Sequence, residues 1–375
     1  MRVFLDAQPL LGPPSGIARY VKQLANHLAE DNEIVLSFNR IFKPVPRSIY
    51  HDVKHSQVYN NPYPYKVIRR LLQPNMLYSL PYDLFAQTKS DLYHGTNYTY
   101  QKTLKGKSVI TIHDLAYMRY PESTSDIIYK HHSKWTPYSA AQCDFIIADS
   151  IQTKQDIVEL LNIPDKKIEV IYLAADDRFQ PLQSHVISDV MLRYNLPDKY
   201  ILFVGTVEPR KNLLGFMEAY KMFRKKSGLP HKLVIVGAKG WKSSPIYEWT
   251  REQKLSNDII FTGYIDDNDL PAVYNGASLF VMPSIYEGFG LPILEAMGCG
   301  IPVMGSNVSS IPELIKNYGV LIDPYDQQEW ANQLERVLSS STLLHSLSTL
   351  SLERAGHFNW AKTASETRRV YEKLL

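Results

Sequence analysis

One stretch of the chain decides the fold: SIYEGFGLPILEAMGCGIP, residues 284–302. An apolar run of strand length, Leu279–Met282, precedes it. Gly288 and Gly290 allow the backbone to approach a ligand closely, and Pro292 suits the first turn of a helix. The pattern predicts a strand, a glycine turn and a helix whose free N-terminal amides favour an anion such as a diphosphate.

A second stretch, FVGTVEPRKNL at residues 203–213, has the same order of strand, turn and helix. Gly205 and Thr206 stand where the strand ends, and Arg210 and Lys211 come just before the helix. A guanidinium beside an ammonium group suits a diphosphate, one by its fork geometry and the other as a point charge. The alternative is two ordinary surface cations, but cations at a helix N-terminus oppose the helix dipole and need a compensating anion.

Short apolar runs alternate with amphipathic stretches along the whole chain, which is typical of parallel sheets covered by helices. The fold class is therefore α/β. Ile17, Val21, Leu24 and Leu28 mark one face of a helix. The expected strands are Val3–Leu5, Ile34–Phe38, Leu92–His94, Ser108–Ile112, Phe145–Ala148, Glu169–Tyr172, Tyr200–Val204, Lys232–Val236, Ile259–Thr262, Leu279–Met282 and Pro302–Gly305.

The length of 375 residues is too great for one ordinary core. The strand and helix alternation restarts after a stretch without periodicity, residues 173–184, which we interpret as a linker. We expect an N-terminal domain over residues 1–175 and a C-terminal domain over residues 176–359. Ligands of open α/β sheets bind at the carboxyl ends of the strands, so we expect a ligand cleft between the two domains.

The composition, with 45% hydrophobic and 21% charged residues, is that of an ordinary soluble protein and excludes disordered and collagen-like chains. Cys143 and Cys299 form no CxxC pair, which argues against a disulfide framework and a cysteine zinc site. No apolar run approaches the roughly 20 residues of a membrane span, and the N-terminus lacks a signal-peptide pattern. We expect a cytoplasmic protein.

The net charge of +3 is unevenly distributed. The stretch 34–82 carries seven basic residues, among them Lys66, Arg69 and Arg70, against one acid, and residues 50–100 hold nine of the 25 tyrosines. Such a surface suits an anionic lipid, a phosphorylated acceptor or nucleic acid. The alternative is a solvated face with half-buried tyrosines.

The two glycine-turn stretches together resemble a known family. Glu287 and Glu295 form an E-x7-E pair, and with GTVEPRKN before it the chain resembles the family 4 retaining glycosyltransferases over essentially its full length. The resemblance implies the GT-B fold, in which two Rossmann-like, doubly wound parallel-sheet domains face a central cleft. It also implies that the last helix, residues 360–375, packs back on the N-terminal, acceptor-binding domain.

The resemblance assigns roles to residues of the C-terminal, donor-binding domain. Arg210 and Lys211 are expected to bind the donor diphosphate, Glu287 to contact the donor sugar, and Glu295 to bind the ribose. Catalytic roles are thereby implied for Arg210, Lys211 and Glu287. The remaining implied donor contacts in this domain are Gly205, Thr206, Ile265, Gly288, Phe289, Gly290 and Leu291.

Two N-terminal motifs also resemble the family. GPPSGIARY, residues 12–20, resembles a glycine loop that reaches the donor through Gly16, although a proline-glycine turn before a helix is the alternative. In TIHDL, His113 matches the histidine that lies beside the reacting sugar, so the resemblance implies a catalytic role for it; the alternative is a structural histidine. ADS, residues 148–150, is explained by Ser150 capping a helix.

The predicted function is retaining transfer of a hexose, with GDP-mannose as the leading donor and UDP- or dTDP-sugars open. The expected acceptor is a glycan or polyprenyl-diphosphate-linked glycan of cell-envelope polysaccharide, such as O-antigen, reached at the inner face of the membrane with Lys66, Arg69 and Arg70 as the contact. Nucleic acid becomes an unlikely partner in this setting. No cofactor and no metal are expected, because the basic pair can do a cation's work. The alternatives are another GT-B chemistry, such as epimerisation or phosphorolysis, and a non-catalytic nucleotide-sugar-binding protein.

Overall fold

The computed structural model describes residues 1–12, 15–40, 44–61 and 80–375. The chain divides into two compact units. The N-terminal unit comprises Met1–Arg119, Asp126–Leu173 and Asn359–Leu375, and the C-terminal unit comprises Tyr120–Ser125 and Ala174–Phe358. The short segment 120–125 therefore groups with the C-terminal unit, which differs from the continuous N-terminal domain expected from the sequence.

The N-terminal unit is built on a parallel sheet with the strand order β3-β2-β1-β4-β5-β6-β7. Its first, fourth and sixth strands are almost wholly buried, as strands covered by helices on both faces should be. The strands are β1 Arg2–Asp6, β2 Glu33–Phe38, β3 Gln57–Asn60, β4 Leu92–Gly95, β5 Lys107–Ile112, β6 Phe145–Ala148 and β7 Ile168–Val170.

The helices of the N-terminal unit begin with α1, whose side-chain cap is Ser15, accepting a hydrogen bond from the Ala18 amide. This helix buries Val21, Leu24 and Leu28, as the spacing predicts. The helices are α1 Gly16–Leu28, α2 Arg47–Asp52, α3 Ala116–Arg119, α4 Asp126–Gln142, α5 Ile151–Leu161 and, at the end of the chain, α14 Trp360–Leu374.

The C-terminal unit is built on a second parallel sheet, with the strand order β10-β9-β8-β11-β12-β13. The strands are β8 Tyr200–Val204, β9 Lys232–Val236, β10 Ile259–Gly263, β11 Leu279–Met282, β12 Val303–Ser306 and β13 Val320–Ile322. The helices are α6 Ser184–Arg193, α7 Leu213–Ser227, α8 Ser244–Glu252, α9 Leu270–Asn275, α10 Leu291–Gly298, α11 Ile311–Ile315, α12 Gln327–Leu338 and α13 Ser341–Ala355.

Both sheets have the order of a Rossmann fold, and this order decides where a ligand can bind. The strand order reverses between β1 and β4 in the N-terminal unit and between β8 and β11 in the C-terminal unit. A crevice forms at such a switch point, outside the carboxyl ends of the two strands. Among the helices that the structure describes, none has the length and apolar character needed to cross a membrane.

The final helix belongs to the N-terminal unit. Helix α14 packs against α1, where Trp360 lies 6.3 Å from the ring of Tyr20. Near its other end, the buried Tyr371 hydroxyl lies 2.6 Å from Nδ1 of His94. The N-terminal unit is thus completed by residues from the end of the chain.

Candidate active site

The C-terminal unit gathers charged side chains at its switch point. Arg210 and Lys211 lie in a 3₁₀ turn, Pro209–Lys211, that follows β8. Lys211 Nζ donates to Glu287 Oε1 at 2.6 Å, and Arg210 Nη1 donates to Glu287 Oε2 at 3.1 Å. Because Glu287 follows β11, the switch point brings the two predicted motifs together.

Arg210 is held from its other side as well. Its Nη2 donates to Oε1 of the buried Glu208 at 2.6 Å, and Nη1 also donates to the carbonyl oxygen of Tyr286 at 2.6 Å. Glu208 was not predicted from the sequence. Its position two residues before Arg210, in a stretch singled out for its cations, was the signal that could have indicated it.

The charges of this cluster cancel. Arg210 and Lys211 face Glu208 and Glu287. The anion needed to compensate cations at a helix N-terminus was expected to be a ligand, but the protein itself supplies it. Burial alone would raise the pKa of Glu287, but the nearby Lys211 and Arg210 outweigh it and lower the pKa to about 2. Glu287 is therefore ionised at neutral pH, and both of its oxygens accept hydrogen bonds from cations.

Two serines hold the glycine turn in place. Ser309 Oγ accepts a hydrogen bond from the Glu287 amide at 2.9 Å, and Ser310 Oγ lies 2.9 Å from the carbonyl oxygens of both Glu287 and Phe289. Gly290 has φ = 105°, and a Cβ there would lie 3.2 Å from Ile293 Cδ1. The turn before α10 therefore requires glycine at this position, as the motif suggested. Ser309 and Ser310 were not predicted.

Glu295 lies in the second turn of α10, away from the helix N-terminus. It is 3% exposed, and the Tyr274 hydroxyl of α9 donates to its Oε2 at 2.8 Å. A carboxylate offsets the helix dipole only near the first turn, so this position argues against such a role for Glu295. The ribose contact stays a prediction.

The other predicted donor residues of this unit lie after strand ends or at the start of a helix. The Gly205 amide donates to the Val236 carbonyl at 2.9 Å, and Thr206 follows it. A Cβ on Gly237 would lie 2.0 Å from the Gly205 carbonyl oxygen, so the two backbones meet here. Ile265 comes after β10 and is buried. Leu291 is the first residue of α10.

In the N-terminal unit, His113 lies directly after β5. Its Nδ1 is 2.6 Å from Asp149 Oδ2 and its Nε2 is 2.8 Å from the Thr96 carbonyl oxygen. A carboxylate and a carbonyl can only accept, so both ring nitrogens donate and the imidazole carries a positive charge. Burial would lower the pKa of His113, but the Asp149 carboxylate outweighs it and the pKa is raised.

Asp149 was overlooked because its segment was explained by a cap. Ser150 does cap α5, accepting from the Thr153 amide at 3.0 Å. The signal for Asp149 lay in strand order: Ile112 pairs with Ala148 across β5 and β6, so the residues that follow them are neighbours.

The remaining residues predicted as part of the site add little to the geometry described above. Gly16 is the first residue of α1, behind the Ser15 cap, and residues 13 and 14 of its loop lie outside the described residues. Lys66, Arg69 and Arg70 lie outside them too, so the predicted acceptor or membrane contact stays a prediction. In the described part of the chain, no group of three or more His, Cys, Asp or Glu side chains is arranged to hold a metal ion.

Family profiles match both halves of the chain. Residues 14–179 match the profile described as Glycosyltransferase Family 4, and residues 191–351 match the one described as Glycosyl transferases group 1. The chain belongs to the family 4 glycosyltransferases. The matched ranges contain the His113 group and the Arg210, Lys211 and Glu287 cluster, respectively.

Curated relatives of this glycosyltransferase include two from Escherichia coli. The O-antigen chain mannosyltransferase B is 29% identical over 386 aligned residues, which cover 100% of both chains. The serotype-specific mannosyltransferase WbdA is 32% identical over 296 residues, which cover 75% of this chain and 36% of WbdA. The chain thus spans one relative completely and about a third of the other.

Solved structures share the fold of this glycosyltransferase. Sucrose-phosphate synthase from Thermosynechococcus elongatus has a TM-score of 0.75 at 20% identity, with 100% of this chain and 98% of that chain covered. WaaG, a glycosyltransferase involved in lipopolysaccharide biosynthesis, has a TM-score of 0.72 at 14% identity, with 99% of both chains covered. The predicted GT-B fold class is confirmed.

Proposed function

We propose that this glycosyltransferase moves a mannosyl residue from GDP-mannose to a glycan acceptor, with retention of the anomeric configuration. The observation that carries the proposal is the convergence of Lys211 and Arg210 on the Glu287 carboxylate at the switch point of the C-terminal unit. The similarity to O-antigen chain mannosyltransferase B along its whole length supports the choice of sugar.

The chemical step breaks the bond between the anomeric carbon and the diphosphate oxygen, and it forms a bond from that carbon to the acceptor oxygen. The acceptor proton passes to the leaving diphosphate on the same face of the sugar. The leaving group gains negative charge, which Arg210 and Lys211 stabilise. A well-aimed donor of this kind contributes about 2.7–4 kcal/mol to transition-state stabilisation.

Lys211 is suited to this task because an ammonium group has three donors. One of them is directed at Glu287 at 2.6 Å, and two remain for phosphate oxygens. Glu287 itself has each oxygen engaged by a cation, which makes it a weak nucleophile. We assign it to orienting Lys211 and Arg210 and to accepting hydrogen bonds from the sugar hydroxyls.

We also propose that transfer needs no metal, because the two cations supply the positive charge that a divalent ion would bring to a diphosphate. In the N-terminal unit, the doubly donating ring of His113 suits a fixed positive charge rather than a general base. This assignment follows from its two acceptor partners, Asp149 and Thr96.

In the cell, the proposed reaction extends a polysaccharide of the cell envelope, such as an O-antigen, on the cytoplasmic side of the membrane. The relatives named as O-antigen chain mannosyltransferases support this setting. A second donor class has support of its own. An Escherichia coli galactosyltransferase named for UDP-Gal and a diphosphoundecaprenol acceptor is 27% identical over 70% of the chain, so a UDP-hexose is the alternative donor.

The test is a donor screen by hydrolysis and transfer with GDP-mannose, UDP-galactose, UDP-glucose, ADP-glucose and dTDP-rhamnose, with and without excess EDTA. We expect GDP-mannose to be used best, EDTA to have no effect, and the product linkage to keep the α configuration by NMR. Turnover of UDP-galactose alone would replace the donor proposal. Binding without any transfer would support a non-catalytic protein.

A matched pair of variants links the screen to the site. Arg210→Ala should lower turnover by about 100-fold or more, because one charged donor to the leaving group is lost. Arg251→Ala removes an exposed arginine from α8 of the same unit and should change nothing. Equal rates for both variants would contradict the donor-site assignment.

A further inference from the structure

Ser309 has a backbone conformation that is unfavourable for a residue with a side chain. Its φ is 54°, in the left-handed region that residues other than glycine rarely adopt. It lies in the turn between β12 and α11. Glycine would adopt this conformation without strain. Strain of this kind persists only where the surrounding structure enforces it, and it is frequent at functional sites.

The strained residue makes a hydrogen bond to the glycine turn of the donor site. Ser309 Oγ accepts from the Glu287 amide at 2.9 Å. A glycine at position 309 would suit the backbone, but it would take this acceptor away from the Glu287 amide. The presence of a serine is therefore explained by its contact with Glu287 and not by the local conformation.

Ser310 contacts the same turn. It stands at the N-cap position of α11, where a serine normally accepts a hydrogen bond from a helix amide. In the part of the chain that the structure describes, its side chain caps no amide of α11. Its buried hydroxyl lies instead 2.9 Å from the carbonyl oxygens of both Glu287 and Phe289. We call Ser309 and Ser310 the serine clamp.

The serine clamp precedes a well-packed helix. Helix α11 buries Ile311, Leu314 and Ile315 completely. Near its C-terminal end, the buried Arg354 of α13 donates through Nε to the Leu314 carbonyl oxygen at 2.7 Å and through Nη2 to the Glu313 carbonyl oxygen at 2.6 Å. Groups supported by packed elements hold a site more precisely than groups on unsupported loops.

Arg210 holds the residues that precede the turn. The Ile285 amide donates to the Arg210 carbonyl oxygen at 3.0 Å, and Arg210 Nη1 donates to the Tyr286 carbonyl oxygen at 2.6 Å. The amide and carbonyl of the next residue, Glu287, are bonded to the serine clamp. The clamp thus fixes the backbone from which the Glu287 carboxylate reaches the two cations.

We propose that Ser309 is a positioning residue for glycosyl transfer. It holds the Glu287 backbone so that the carboxylate orients Lys211 and Arg210, and the left-handed strain is accepted for the sake of that contact. The role in transfer rests on the proposed function, because the orientation of the cations matters only if they act on a leaving diphosphate. The hold on the turn follows from the geometry alone.

The Ser309→Gly variant separates the strain from the contact, because it keeps the backbone conformation and loses the hydroxyl. Lys254→Gly is the matched control, since Lys254 has φ = 57° and lies exposed just after α8 of the same unit. Relief of strain alone should raise the melting temperature of the control by about 2 °C. In Ser309→Gly the lost hydrogen bond offsets this gain, so the melting temperature should stay within about 2 °C of the wild type.

Two measurements test the positioning role. Exchange of the Glu287 amide hydrogen should accelerate about tenfold or more in Ser309→Gly, because the amide loses its acceptor, and should not change in Lys254→Gly. The kcat for GDP-mannose should fall about tenfold in Ser309→Gly only, since displacing a catalytic group slows the reaction. The affinity for GDP should not weaken. A merely structural serine would leave kcat unchanged at equal stability.

Ser309→Ala shows which property of the residue the reaction needs. This variant also loses the hydroxyl but keeps the strain, so it should melt at a lower temperature than Ser309→Gly and have the same reduced kcat.

The outcomes separate this proposal from the proposed function. An unchanged exchange rate of the Glu287 amide, or a wild-type kcat, in Ser309→Gly would overturn the positioning role even when the wild-type enzyme transfers mannose. If exchange accelerates but the wild-type protein turns over no donor, the proposed function fails and the role in transfer fails with it, while the hold on the turn stands.

Discussion

At the scale of single residues, Glu287 sets the charge of the proposed donor site, because it neutralises the cations Lys211 and Arg210. Its two oxygens hold Lys211 and Arg210, and its pKa of about 2 keeps it ionised. A diphosphate entering this site meets cations that are already neutralised. In the proposed mechanism, the carboxylate would therefore limit the affinity for the nucleotide while it positions the groups proposed to stabilise the leaving diphosphate.

Glu287→Gln should consequently have opposite effects on binding and on turnover. Without the negative charge, GDP should bind roughly tenfold more tightly, because Coulomb attraction to Lys211 and Arg210 is no longer offset. Turnover should fall by about 100-fold, because the cations lose their orientation. The unfolding free energy should fall by about 3 kcal/mol, since the buried Lys211 and the partly buried Arg210 lose a charged partner.

Calorimetry with GDP, steady-state kinetics and denaturant unfolding measure the three effects. Glu252→Gln, at the exposed end of α8, is the matched control and should leave all three quantities unchanged. Weaker binding of GDP by the Glu287→Gln variant would show that Glu287 does not compete with the diphosphate.

Two buried histidines of the N-terminal unit differ in charge because their partners differ. His113 faces two groups that can only accept, and its pKa is raised. His94 faces the hydroxyls of Tyr371 and Thr111, and burial, with the charge of His113, lowers its pKa to about 3. Hydroxyls can satisfy a neutral ring, whereas a carboxylate and a carbonyl require a cation.

The opposite pKa shifts of His113 and His94 predict that the unfolding free energy is greatest near pH 6.5, the ordinary pKa of histidine. Above it, folded His113 keeps a proton that the unfolded chain has lost, so the unfolding free energy falls as pH rises through the raised pKa. Below it, unfolded His94 binds a proton that the folded chain excludes, so stability falls again. Each slope is at most about 1.4 kcal/mol per pH unit for one proton.

Hydrogen exchange of the N-terminal unit against pH measures both slopes. Asp149→Asn keeps an oxygen near His113 Nδ1 but removes the charge, so it should flatten the slope above pH 6.5. Asp52→Asn should keep both slopes. An unchanged slope above pH 6.5 in the Asp149→Asn variant would contradict the assignment of His113 as the buried cation.

At the scale of elements, the strand bounds were predicted best where a strand is buried along its length. Strands Phe145–Ala148, Tyr200–Val204, Lys232–Val236 and Leu279–Met282 have the predicted bounds, because an apolar run with polar flanks leaves no other choice. Strands β3 and β13 were missed. Both are edge strands and only partly buried, so their sequences lack such a run.

For the candidate site as well, prediction succeeded where the sequence itself carries a recognisable pattern. Arg210, Lys211 and Glu287 were predicted because each lies in a motif directly after a strand. Asp149 and Ser310 were not, because their roles depend on which segments meet at the sheet edge. Strand order and register carry that information, and a single sequence shows neither.

At the scale of the whole molecule, the two structural units do not correspond to two continuous stretches of the chain. The N-terminal unit is made of three segments, the last of which is Asn359–Leu375, beyond the whole C-terminal sheet. Its helix α14 buries Trp360, Val370 and Tyr371 completely or nearly so. We therefore expect the packing of α14 to contribute strongly to the stability of the N-terminal unit.

Deleting residues 359–375 should unfold the N-terminal unit and spare the C-terminal one. Loss of three large buried side chains, at about 3–5 kcal/mol for each aromatic one, is comparable to the roughly 5–15 kcal/mol that stabilises a typical domain. In hydrogen exchange, peptides over β5 should lose protection while those over β8 keep it, and the truncated chain should still bind GDP. Tyr371→Phe, which removes only the hydroxyl near His94, should cost about 1 kcal/mol and leave both units folded. Retained protection of β5 in the truncated chain would mean that α14 covers a unit already stable without it.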